Sequence, residues 1–66
     1  TAYLEAADAY FKTAFSWGVT CIVLPENTAD VLTLQLEKSA EEAGYVTTFG
    51  KAGDYQIWMI ERERDE

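Results

Sequence analysis

Apolar residues recur over the first seventeen positions at three- and four-residue steps. Leu4, Ala7, Phe11, Ala14 and Phe15 form one stripe, the spacing of an amphipathic helix. Glu5, Asp8, Lys12 and Ser16 are expected on the other side, with Asp8 and Lys12 set for an i,i+4 ion pair. Five alanines in this stretch favour helix, and Gly18 supplies a stop just past its end. The pattern predicts a helix over Thr1 to Trp17.

Val19 to Leu24 is a short β-branched and apolar run, closed by a proline that cannot donate to a ladder, so it reads as a strand. Asn27 or Thr28 is placed to cap a second helix, with Asp30 in its first turn where the helix dipole favours negative charge. That helix is expected to reach Ala43 before Gly44, burying Ala29, Leu32, Leu36, Ala40 and Ala43. Leu32, Leu34 and Leu36 alternate with the period of a strand. The strong helix formers from Lys38 to Ala43 decide for helix, and the alternation turns Leu34 outward.

Tyr45 to Phe49 and Tyr55 to Glu61 read as two further strands joined by a turn over Gly50 to Asp54. The order helix, strand, helix, strand, strand predicts an α+β fold. Its three-stranded antiparallel sheet has order 1-3-2, the most apolar strand filling the gap of a split βαβ unit, with both helices on one face. That last strand is apolar on both sides, Ile57 and Met59 against Trp58 and Ile60. Two helices cover one face only, so the other either exposes Trp58 or Met59, with Tyr45 or Phe49, or is covered by the leading helix and tail wrapping around it. Trp58 and Leu34 are therefore candidates for an exposed apolar patch that meets a partner or a second copy.

With 48% hydrophobic and 14% aromatic residues, the 66-residue chain has enough apolar material for one domain spanning positions 1–66. Its one cysteine, Cys21, cannot form an internal disulfide. It lies in an apolar run and reads as a buried small hydrophobe in a reducing compartment. The longest apolar runs, Cys21 to Leu24 and Ile57 to Ile60, are far short of a membrane span. No basic-then-apolar leader is visible, so no secretion signal is expected.

Charge changes the picture most. Twelve acidic residues stand against five basic ones, a net charge of −7, and there is no histidine. Lys12, Lys38, Lys51, Arg62 and Arg64 are scattered, whereas direct nucleic-acid binding needs a basic stripe. Cys21 has no histidine to activate it, and one cysteine cannot assemble a zinc site. Glu41 and Glu42 are neighbours, so on a helix they point about 100° apart. The Gly50–Asp54 loop holds too few acids for calcium, and no phosphate-binding glycine motif occurs. The reading is a non-enzyme with no metal or other cofactor.

The acids themselves are patterned. Asp30, Glu37 and Glu41 share one helix face, roughly 10 and 6 Å apart along the axis. Glu61, Glu63 and Asp65 alternate with Arg62 and Arg64, and would project to one side at about 6.8 Å intervals if extended. The intervals of about 6 and 6.8 Å are within a factor of two of the charge spacing along a nucleic-acid strand, about 3.4 Å. Together with Glu5 and Asp8, these carboxylates are candidates for binding a basic protein in the place of phosphates. Alternatively, the acidity only keeps the chain dispersed, and the protein is a small dimerising interaction or regulatory module without mimicry.

The chain resembles the small, acidic, single-domain anti-CRISPR proteins of phages and mobile elements in size, charge and α/β make-up over its whole length. The stretch from Tyr3-Leu-Glu-Ala-Ala-Asp-Ala-Tyr10 through Trp17-Gly-Val-Thr-Cys-Ile-Val-Leu-Pro25 is similar to a type I-C inhibitor of that group. These proteins share no diagnostic motif, so no residue roles carry over. The lone cysteine points to a cytoplasm, expected to be that of a bacterial host, and the apolar patch leaves both monomer and homodimer open. The resemblance implies binding to a type I effector complex (Cascade), at its large subunit, with blockade of target-DNA recognition.

Overall fold

The structure, a computed structural model, describes residues 2–63. Helix α1 spans Ala2–Ser16, β1 Cys21–Pro25, α2 Asp30–Glu42, β2 Tyr45–Ala52 and β3 Tyr55–Arg62. The strands form one antiparallel sheet in the order β1-β3-β2, which is the α+β layout that the element order predicts.

Several boundaries move for local reasons. Val19 donates its N–H to Ala14 O at 3.3 Å, so it closes α1 rather than opening the strand. Pro25 is instead the last residue of β1, tolerated at the end of an edge strand. Neither Asn27 nor Thr28 caps α2. Its N-cap is Ala29, which has no side-chain capping bond, while Thr28 Oγ1 donates to Pro25 O at 2.7 Å and tightens the preceding turn. Gly50 and Lys51 pair with Ile57 and Gln56, which shortens the expected five-residue loop to a Gly53–Asp54 turn. Gly53 has φ 61°, the positive value that a two-residue hairpin turn demands of its first central residue.

Each helix and β3 contribute two side chains to the core: Phe11 and Phe15, Leu36 and Ala40, Trp58 and Ile60. In α2, Ala29 and Ala43 are exposed and Ser39 is fully buried, so the buried stripe is shifted from the expected one. Leu34 faces outward and is 61% exposed, as the alternation around it implied.

Trp58 corrects the expected patch: it is only 6% exposed. Register puts it opposite Ile22 and Phe49, on the side of the sheet that the helices cover. Its ring lies 4.9 Å from that of Phe49. Its indole N–H donates to Gln56 Oε1 at 3.0 Å, and Gln56 Nε2 donates to Glu26 O at 3.1 Å. The buried indole and amide are thereby satisfied and fasten the loop after β1.

The uncovered face carries Met59, Tyr55, Val23 and Val46, all about half exposed, with Ile57 between them. Cys21 is on this face opposite Met59 and is exposed, not buried as its apolar run suggested. Strand alternation assigns it to the side that no helix reaches. Its thiol is therefore expected to react fully with a maleimide reagent in the native protein, without denaturant. A thiol that reacts only after unfolding would refute this face assignment.

Candidate functional site

Glu37 and Glu41 lie one turn apart on α2 and are both exposed. Gly44, at φ 87°, ends the helix and turns the chain into β2. At the far end of the sheet Glu63 donates its backbone N–H to Gly44 O at 2.9 Å, which holds residue 63 beside that turn. The result is an open surface hollow lined by Glu37, Glu41, Tyr45, Val46, Thr47 and Glu63. None of its three carboxylates makes an ion pair with a described residue. Arg62 borders it, with its guanidinium 5.7 Å from the Tyr45 ring centroid and no ion pair to a described carboxylate.

Glu61 adjoins this group. It is exposed on the uncovered sheet face and pairs in register with Val46, so one strand residue borders both carboxylate sets. Asp30 is exposed at the other end of α2, roughly 10 Å from Glu37 along the axis. Asp65 and Arg64 lie outside the described residues.

Glu5 and Asp8 belong elsewhere, in a mixed-charge hollow with Leu4, Gln35, Lys38 and Glu42. Asp8 is not on the outward side of α1 as expected of a docking carboxylate, but is held against α2. Ser39 donates its hydroxyl to Asp8 Oδ1 at 2.6 Å and accepts from Gln35 Nε2 at 2.9 Å. Lys12 Nζ lies 3.3 Å from Asp8 and 2.9 Å from Glu42, so this cluster clamps α1 to α2. The i,i+4 pair is present, but it is turned toward the helix interface because α1 rests on α2.

The clamp perturbs both charges. The Ser39 hydrogen bond, then Lys12, holds the Asp8 carboxyl below its ordinary 3.8, against a partial desolvation that works the other way. Glu42, then Asp8, raises Lys12 above its ordinary 10.5. A lowered carboxyl stabilises the fold above its unfolded value, and that contribution is lost as pH falls through the folded value. The raised lysine contributes below 10.5 and loses its effect as pH rises through its folded value. Asp8→Asn is therefore expected to flatten the acid limb of stability below about pH 4, read as urea midpoints across the acid range. An acid limb identical to that of the unaltered chain would count against the clamp.

No group of three or more His, Cys, Asp or Glu among the described residues is arranged to hold a metal ion. No described helix is long and apolar enough to cross a membrane. What the hollow offers is negative charge bordered by the apolar Val46. Glu37 and Glu41 were legible from helical spacing. Tyr45, Val46 and Thr47 were not, since only the antiparallel return of β3 sets Glu63 beside them.

No protein-family model, characterised protein or solved structure matches this chain.

Proposed function

We propose that the protein is a non-enzymatic inhibitor that docks its acidic edge onto a basic, nucleic-acid-handling surface and keeps DNA from it. The observation that carries this reading is the convergence of Glu37 and Glu41 from α2 with Glu63, just past β3, on one hollow where no described cation is paired to them. Three carboxylates at this density, none ion-paired with a described residue, attract a surface built for phosphates. Glu61 and Asp30 extend the same edge. Glu5 and Asp8 lie outside the docking set, because their surroundings are of mixed charge. The resemblance to small anti-CRISPR proteins directs the choice of target to a type I effector complex.

The direct test mixes the purified protein with purified type I-C Cascade and labelled target DNA. A stoichiometric complex that releases DNA and weakens steeply with salt is expected. Absence of any complex at low salt would overturn the assignment to this target. The alternative, an acidic interaction module without mimicry, draws support from the uncovered sheet face around Val23 and Met59. It requires binding that salt leaves unchanged and that lysine at Met59 abolishes.

A further inference from the structure

Helix α1 carries a second apolar stripe, on the side away from the core. Tyr3, Ala6, Tyr10, Thr13 and Trp17 follow one another at alternating three- and four-residue steps, the spacing of a seam between two helices. Trp17 continues the helical path just past the last turn, donating its N–H to Thr13 O at 3.2 Å. Tyr3, Tyr10 and Trp17 are 61%, 70% and 79% exposed, and Ala6 and Thr13 are exposed between them. The positions flanking the seam are small: Ala2, Ala9 and Ser16 on one side, Ala7 and Ala14 on the other. No charged residue occupies the seam or its flanks, although the chain carries a net charge of −7. The outward face of a surface helix ordinarily takes the charges.

We propose that this face joins two copies of the chain in a homodimer, with α1 packed antiparallel against α1. The shape of the seam identifies the occupant. Large residues hold one seam position of each repeat, Tyr3, Tyr10 and Trp17, and small residues hold the other, Ala6 and Thr13. With the helices antiparallel about a two-fold axis midway between Tyr10 and Thr13, Tyr10 meets the partner's Thr13 and Ala6 meets the partner's Trp17. The two-fold axis repeats both contacts, so each of the four layers sets a large side chain on a small one, with Tyr3 beyond the overlap. A parallel pair would instead oppose Tyr10 to Tyr10 and leave a gap at Ala6. The small flanking residues let the backbones approach closely. Charge agrees with this choice: on so acidic a molecule, the seam is a place where two copies meet without bringing carboxylates into contact.

Four layers are a small interface, below the roughly 800 Å² per partner typical of stable complexes, so weak and concentration-dependent association is expected. Sedimentation equilibrium on the full chain tests it. The expected result is a reversible monomer–dimer equilibrium, accompanied by falling acrylamide quenching of Trp17 as concentration rises. Tyr10→Glu, at a largely exposed site that meets the core through an edge contact with the Phe11 ring, is expected to raise the dissociation constant at least about tenfold while far-UV circular dichroism is unchanged. Met59→Lys, on the uncovered sheet face, is expected to leave it unaltered. A chain that stays monomeric at millimolar concentration overturns the proposal, as does a dimer lost with Met59→Lys and indifferent to Tyr10→Glu. The seam shares no residue with the acidic hollow, so either result leaves the inhibitor reading standing or falling on its own test.

Discussion

Trp58→Ala is expected to leave the chain largely unfolded at room temperature. Trp58 is the largest side chain in the six-residue core, and truncating a buried tryptophan costs about 3–5 kcal/mol. A domain of this size rarely has more stability than that to lose. The substitution also removes the ring that packs on Phe49 and leaves the Gln56 carbonyl without its indole donor. Trp58→Phe keeps most of the packing but also strands the buried Gln56 carbonyl, so it is expected to fold with a loss of about 1–3 kcal/mol. Urea denaturation followed by circular dichroism separates the two. A Trp58→Ala variant with an unaltered midpoint would mean that Trp58 and Met59 have exchanged faces.

Reversing Glu37, Glu41 and Glu63 together to lysine is expected to weaken binding to the basic target by about 100-fold or more, roughly 3 kcal/mol. All three are exposed and make no ion pair with a described residue, so the fold has no reason to suffer. The loss has two parts: attraction disappears, and like charges are brought together. The slope of affinity against salt is expected to fall with it. A second triple, Glu5→Lys, Glu26→Lys and Asp54→Lys, takes the net charge from −7 to the same −1, since each reversal adds two. It acts away from the hollow and should cost far less. Equal losses from the two triples would locate the effect in net charge and remove the site. Glu26 has its own partner, Lys51 at 3.5 Å, which is one reason it is absent from the docking edge.

Much of the fold was legible because the signals were local. Gly18 and Gly44 stop the helices, both with positive φ, and the stripe of Phe11 and Phe15 finds the core where helical spacing put it. The strand order follows from chain connectivity and the apolar character of Tyr55 to Ile60. The second stripe on α1 was in the sequence too. Its alanine and threonine read as helix filler until the tyrosines between them are seen to face outward. For the acidic hollow, Glu37 and Glu41 needed only the helical repeat. Glu63 could join them only through the hydrogen bond that returns the end of β3 to Gly44.

The amino-acid order alone therefore settles the elements, their succession, the excess of negative charge and the lack of histidine. Each of these depends on neighbours in the chain or on composition. Which side of the sheet is covered is a different kind of question, because Tyr55 to Ile60 is apolar on both sides and strand alternation reads equally well either way up. Only the packing of α1 and α2 against Trp58 and Ile60 breaks that tie, burying Trp58 and leaving Cys21 and Met59 in the open. The same packing separates the carboxylates. Asp8 is drawn into the helix interface by Ser39 and Lys12, while Glu37, Glu41 and Glu63 remain on a free edge. Charges distant in sequence become one surface, or cease to be one, through contacts that periodicity does not contain.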